Sequence, residues 1–363
     1  MEPYRIEIPQ SQLDDLATRL ANTRWPAEPE GTGWNDGVPV AYLQDLVRYW
    51  RTRYDWRAWE ARLNAFPQFT TTIDGANIHF MHIRSTREDA LPLILTHGWP
   101  GSVVEFFDVI EPLSRDFHLV IPSMPNYGFS GPTADTGWNV RRIATAWAEL
   151  MARLGYDRYG AQGGDWGSVV SRDLGVVDAE HVVGVHLNML ITMPDGHTDG
   201  LTADDAKRLE ALKHYSDDLS GYQRVQGTRP QTLGYGLTDS PVGQLAWIVE
   251  KFKEWTDSKD VPEDAVDRDL LLTNVMVYWL TGTAASSARL YKEAAKSGGR
   301  IEASTTPTAL AVFPHEVVPP IRSIAERTNT IVRWTEFDRG GHFAAMEQPA
   351  LLAEDVLAFF QGL

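Results

Sequence analysis

The sequence predicts an α/β fold: a mostly parallel sheet with helices on both faces. Three observations predict it. Short apolar runs alternate with stretches of helical periodicity. The alternation breaks once, between about 193 and 300, and then resumes. A frame of small residues, Gly163-Gly164-Asp165-Trp166-Gly167, stands where one apolar run gives way to a helix. The core is therefore expected over 70–192 and 301–363. A mostly helical lid is expected over 193–300, and an N-terminal helical extension over 1–69.

The elements follow in order. Ser11 and Asp14 have the spacing of a capping box, with Leu13, Leu16 and Leu20 on one helical face. A Gly-, Pro- and Trp-rich loop runs from Trp25 to Val38. A second amphipathic helix carries Leu43, Leu46, Val47 and Trp50, and Trp56, Trp59 and Phe66 continue it toward a loop. Strands begin near Thr70, with Ile78, Phe80, Met81 and Ile83 beyond a turn at Asp74-Gly75. Leu93-Ile94-Leu95 and His118 to Pro122 are buried strands. Ile143, Trp147, Leu150, Met151 and Leu154 mark a helix. Tyr159-Gly160-Ala161 leads into the small-residue frame, and Val182 to Leu187 is a further strand. After the helical block come strands at 309–313 and 331–334, then a C-terminal helix with Leu351, Leu352, Val356, Phe359 and Phe360.

Composition narrows the function. The chain has 363 residues, enough for one large domain with insertions. A net charge of −16 argues against nucleic acid or an anionic membrane surface as partner. With no cysteine, disulfides, thiolate metal sites and cysteine nucleophiles are excluded. No cofactor or metal motif stands out. The first residues, Met1 to Glu7, lack the basic and apolar regions of a signal peptide, and no run reaches the ~18 apolar residues of a membrane span. A soluble, cytoplasmic protein without a membrane anchor is expected, and composition leaves a homo-oligomer open.

The small-residue frame is that of a nucleophile elbow, the strand-to-helix turn that gives the α/β-hydrolase fold its active site. Here the elbow carries Asp165 where an esterase carries serine. A carboxylate attacks carbon to form an alkyl ester, and a second step must hydrolyse that ester. The expected substrate is a strained or halogenated carbon electrophile. Ser168 lies three residues further on, in the helix, which disfavours a serine esterase.

Two further segments complete the chemistry. His97-Gly98-Trp99-Pro100 follows an apolar strand, where this fold takes part of its oxyanion hole. The donors expected are the N–H of Trp99, since Pro100 has none, and the N–H of Trp166 after the nucleophile. Gly340-Gly341-His342-Phe343 follows the last strand, and the order nucleophile, acid, histidine makes His342 the base. Asp165 is already ionised at neutral pH, so the task of His342 is to deprotonate water. Glu316 follows the strand at 309–313 and is the expected carboxylate partner; Asp338, four residues before the histidine, is the competitor.

With these residues in place, the chain resembles the epoxide hydrolases of the microsomal and juvenile-hormone type. The resemblance rests on Arg24-Trp25-Pro26, His97 to Ser102, Gly163 to Gly167, Leu237 to Gly243, Leu271 to Val275, Thr281-Gly282-Thr283 with Ser286-Ser287, and Gly340 to Ala345. It spans nearly the whole chain. It implies that two lid tyrosines, matching Tyr222 and Tyr291, protonate the epoxide oxygen as the ring opens. Sequence pattern alone does not choose them over Tyr215, Tyr235 or Tyr278. It also places the acid on Glu316. Small-molecule epoxide and water are then the partners, and a vicinal diol is the product. Microsomal relatives carry an N-terminal membrane anchor, which is not expected here. The rivals are a haloalkane dehalogenase using the same aspartate and a non-catalytic binding protein of this fold. Trp247, Trp255 and Trp279 are expected as lid core rather than pocket lining.

Overall fold

A computed structural model of the protein describes residues 1–192, 201–297 and 302–363. Its described residues form a sheet of nine strands: β1 (Glu2–Tyr4), β2 (Gln68–Ile73), β3 (Ala76–Ile83), β4 (Leu91–Thr96), β5 (Phe117–Pro122), β6 (Tyr159–Gly163), β7 (Val182–Leu187), β8 (Ser304–Val312) and β9 (Asn329–Glu336). Their spatial order is β1-β2-β3-β5-β4-β6-β7-β8-β9. Pairings from β1 through β3 to β5 are antiparallel, and those from β5 to β9 are parallel. The hydrogen-bonded centre is buried on both faces, as parallel strands require: every residue of β5 and β6 is buried, and all of β4 except Leu91.

Local chemistry explains the elements. Asp74 and Gly75 both have positive φ (48° and 78°), the backbone of a tight turn between antiparallel strands, so β2 and β3 pair from Ile73 and Ala76 outward. The helix Val140–Arg153 is capped by Asn139, whose side chain accepts the Arg142 N–H, and it buries Ile143, Trp147, Leu150 and Met151. Trp147 also donates to the Thr96 hydroxyl at the end of β4 (3.1 Å), tying that helix to the strand that leads into the site.

The N-terminal region differs from expectation in three ways. The first helix begins at Gln10 behind Pro9 and has no side-chain cap, so Ser11 lies inside the first turn and the capping box does not form. The segment 56–63 is a helix of its own, Trp56–Leu63, capped by Asp55, rather than a continuation of the helix Val40–Thr52. The region is also not purely helical, because β1 adds to the sheet edge against Gln68 to Thr70.

The segment between β7 and β8 is mostly helical among its described residues, including Ala203–His214, Gly221–Thr228, Pro241–Glu254, Arg268–Thr281 and Arg289–Lys296. The boundaries expected at 193 and at 300–301 lie outside the described residues. The helix Arg268–Thr281 is buried from Leu270 to Tyr278. Tyr42 and Tyr49 of the helix Val40–Thr52, and Tyr54 in the loop after it, reach it and its approach through Glu263, Asp269 and Thr273 at 2.8–2.9 Å. On its other side Asn274 donates to the Pro100 carbonyl (2.6 Å), and the Tyr278 hydroxyl donates to the Gly101 carbonyl (2.7 Å). The N-terminal helices thereby hold the helical block against the loop after β4. No helix among the described residues is long and apolar enough to cross a membrane.

Candidate active site

Asp165 stands at the tip of the elbow. β6 ends at Gly163, Gly164 is extended, and Asp165 opens the helix Asp165–Val177 with φ at +49°. A non-glycine residue in this left-handed region is strained, and such strain persists only where packing enforces it. The packing is tight: a Cβ on Gly167 would lie 1.8 Å from the Thr96 carbonyl oxygen of β4. The elbow helix therefore presses directly on the neighbouring strand, which aims Asp165 outward at the carboxyl end of the sheet. Ser168 is buried in that helix, its hydroxyl spent on the Asp165 carbonyl (2.7 Å).

Each oxygen of the Asp165 carboxylate has its own neighbour. Oδ1 accepts the main-chain N–H of Trp99 at 2.7 Å. Oδ2 lies 3.2 Å from Nε2 of His342. The second contact is close enough for an ion pair but too poorly aligned for a hydrogen bond, so Nε2 remains without an in-line partner. Trp166 occupies the first turn of the same helix, where N–H groups have no intrahelical acceptor, and its ring meets Tyr291 edge-on at 4.9 Å.

His342 is held from behind. Its Nδ1 lies 2.9 and 3.0 Å from the two oxygens of Glu316, and both side chains are buried. Glu316 sits in the loop after β8 and also accepts the Val318 N–H. Asp338, the competing carboxylate, is 83% exposed and pairs with Arg339 instead. Burial alone would lower the proton affinity of His342. The carboxylates of Glu316 and Asp165 outweigh it and hold the imidazole well above its ordinary 6.5. His97 is different. It is fully buried, its Nε2 accepts the Met124 N–H, and burial drives it down to about 4, so it serves as a neutral pin for the loop.

Above Asp165 a cavity of about 880 Å³ opens under the helical block. Tyr222 and Tyr291 come from separate helices of that block, and their rings meet at 5.7 Å, nearly perpendicular. The Trp99 ring stacks on Tyr222 at 5.1 Å. Burial pushes both phenols well above 10, with smaller contributions from Tyr215 and Asp165 at Tyr222 and from Tyr222 and Asp165 at Tyr291, so both hold their protons at neutral pH. The Tyr291 hydroxyl has no partner among the described residues; that of Tyr222 meets the hydroxyl of Tyr215 at 2.8 Å. Lys251, buried and paired with Glu250, stands over the Tyr222 ring at 4.7 Å. Tyr235 is 72% exposed and Tyr278 is bonded to Gly101, so neither joins the pair.

The sequence-expected residues Asp165, His342, Glu316, Trp99, Trp166, Tyr222 and Tyr291 thus surround one point. Sequence reasoning missed three neighbours. Tyr215, considered only as an alternative, is hydrogen-bonded to Tyr222 and lines the cavity. Trp255, expected as core, is buried yet lines the cavity and packs on the His342 ring at 4.9 Å. Glu105 lies beside Asp165; the available signal was a lone carboxylate in the apolar run Val103-Val104-Glu105-Phe106-Phe107. Among the described residues no group of three or more His, Asp or Glu side chains is placed to hold a metal ion.

Comparison with known proteins bears on the family and the fold. A family model described as the epoxide hydrolase N terminus matches residues 1–106, and one for the alpha/beta hydrolase fold matches residues 92–217. A protein of Stigmatella aurantiaca that carries a provisional epoxide hydrolase name is 48% identical over 99% of this chain and 85% of its own. Epoxide hydrolase 1 of Sus scrofa is 36% identical over 99% of this chain and 88% of its own. The crystal structure of juvenile hormone epoxide hydrolase from the silkworm Bombyx mori superposes with a TM-score of 0.93 at 33% identity, covering 99% of this chain and 94% of that one.

Proposed function

Since the chain belongs to the epoxide hydrolases, we propose that it converts a small-molecule epoxide to a vicinal diol through an ester on Asp165. The helical block acts as a lid over the sheet. The epoxide binds in the cavity between them with its oxygen toward Tyr222 and Tyr291. Oδ2 of Asp165, the oxygen not engaged by the Trp99 N–H, attacks a ring carbon. The carbon–oxygen bond of the ring breaks, and a phenol proton passes to the leaving oxygen, a strong base that needs an acid still neutral at pH 7. The hydroxyalkyl ester is then hydrolysed. Water adds to the ester carbonyl carbon and gives its proton to Nε2 of His342, whose orientation Glu316 fixes. The N–H groups of Trp99 and Trp166 stabilise the oxyanion. Collapse of the tetrahedral intermediate releases the diol, and the protons return.

One observation carries this reading: two buried, proton-bearing phenols share one cavity with an elbow carboxylate. A halide leaving group needs no such acid; an epoxide oxygen does. The test is a single turnover in ¹⁸O-water. Oxygen from unlabelled Asp165 is expected in the diol, with the label retained by the enzyme. Label entering the diol in that first turnover would sink the covalent scheme. Asp165→Ala is expected to abolish turnover, and His342→Gln to accumulate the ester.

A further inference from the structure

Behind the nucleophile lies a second, small chamber of about 20 Å³. Its walls include Gly98, Gly101, Glu105, Gly164, Asn188 and the apolar residues after His342. With the large substrate cavity it shares only Asp165 and His342. The nucleophile and the base thus face two separate spaces, one under the helical block and one within the core.

The chamber has the size and lining of a one-water site. Roughly 10–15 Å³ of such space accommodates one water, provided two to four polar groups converge on it. Here they are the Glu105 carboxyl, the Asp165 carboxylate, the Asn188 amide and the imidazole of His342, whose buried Nε2 has no in-line partner. Glu105 comes from the short turn Val103–Phe106 that follows the loop carrying the Trp99 donor. Its carboxyl tucks under that loop: a Cβ on Gly101 would lie 2.1 Å from Glu105 Oε2. Glu105 is partly buried and lines the chamber. Burial, and then the neighbouring charge of Asp165, favour its protonated form, so it adds no second negative charge beside the nucleophile before attack.

We propose that Glu105 and His342 together hold the water that hydrolyses the Asp165 ester, in this chamber on the side of the carboxylate away from the substrate. One water proton points to Nε2 of His342 and the other to a Glu105 carboxyl oxygen, which leaves a lone pair directed at Cγ of Asp165. As the oxygen–carbon bond forms, His342 takes the first proton. Glu105 acts as an acceptor throughout. Entry from the core side lets the water attack while the alkyl group still occupies the large cavity.

The inference rests on the covalent reading above, and its test separates the two. Single turnovers with styrene oxide, followed by rapid acid quench, give the protein–ester adduct by intact mass and the diol by chromatography. Glu105→Leu is expected to slow ester hydrolysis about tenfold or more while ester formation changes less than about twofold, because only the water loses its position. Then kcat and KM fall together and kcat/KM holds. Glu105→Gln keeps an acceptor oxygen and is expected to fall between this variant and the wild type. Gly101→Ala pushes the end of a flexible side chain rather than backbone, so it is expected to fold and to reproduce the Glu105→Leu defect. An equal loss in both steps, or wild-type ester hydrolysis in Glu105→Gln and Gly101→Ala alike, overturns the proposal. If no adduct forms in any version of the enzyme, the covalent reading falls and this inference with it.

Discussion

Oδ1 of Asp165 and the main-chain N–H of Trp99 lie 2.7 Å apart, across the narrow gap between the elbow and the loop after β4. Gly98 keeps that gap open. A Cβ there would come within 2.3 Å of both Cβ and Oδ1 of Asp165. Gly98→Ala must therefore push the carboxylate off its donor and, because the Asp165 Cβ moves only with its own backbone, shift the loop and the elbow slightly apart. Loss of one oxyanion donor typically costs 10²–10³ in rate, so kcat/KM is expected to drop about 100-fold or more. The far-ultraviolet circular dichroism is expected to match the wild type. A variant that keeps activity within a few fold would show that this contact does not matter.

His342 has a proton affinity that depends on the state of Asp165. Both Glu316 and Asp165 hold it well above 6.5 in the free enzyme, against the effect of burial. A cationic histidine cannot deprotonate water. Forming the ester removes the Asp165 charge, and with it one of the two attractions that keep the imidazole protonated. In the proposed scheme His342 thus becomes a base only after the first step. Asp165→Asn mimics that loss of charge. Its His342 resonance, followed by NMR against pH, is expected to titrate lower than in the wild type; an unchanged or higher midpoint would contradict this coupling.

In the proposed reaction Tyr222 and Tyr291 are two acids for one oxygen. Their rings meet at 5.7 Å, and both phenols stay protonated at neutral pH. Replacing either with Phe leaves the other, so each single variant is expected to slow ester formation about tenfold. Removing both should cost on the order of 10³, within the range for general-acid catalysis. The loss is expected to shrink for epoxides whose oxygen leaves more easily. Single-turnover ester formation across a series of ring-substituted styrene oxides measures it. A double variant with near wild-type ester formation would remove the phenols from the reaction.

How far the sequence revealed this site depends on the range of each constraint. Asp165, Trp99 and His342 were legible because each sits in a local frame of small residues that the turn geometry requires. Glu316 was legible through chain order, since a residue after β8 reaches the end of the sheet beside β9. Tyr222 and Tyr291 lie on separate helices and converge only through tertiary packing, so resemblance alone could single them out. The same holds for Tyr215 and Glu105, whose roles depend on which walls they meet. β1 escaped notice because three residues at a sheet edge carry no apolar alternation to detect.

Glu347 joins the His342 loop to the helical block. Its Oε1 accepts the Phe343 N–H at 2.9 Å, and its Oε2 accepts the Asp257 N–H at 2.8 Å. The Trp255 carbonyl nearby accepts the His342 N–H at 2.8 Å, so the block is stitched to the catalytic loop on both sides of the histidine. Burial raises the Glu347 carboxyl from an ordinary 4.5 to about 7. Between those values the native carboxyl keeps its proton while the unfolded one has lost it. The native state then binds more protons, and stability falls as pH rises through that window before levelling off above about 7. The shift corresponds to at most ~3 kcal/mol. Glu347→Gln cannot ionise and keeps one acceptor oxygen. It is expected to be less stable than the wild type at pH 5 and to close much of that gap by pH 8. Chemical denaturation at the two pH values measures the difference. A gap independent of pH would mean that Glu347 does not titrate in this range and that the stitch between loop and block is the same at either pH.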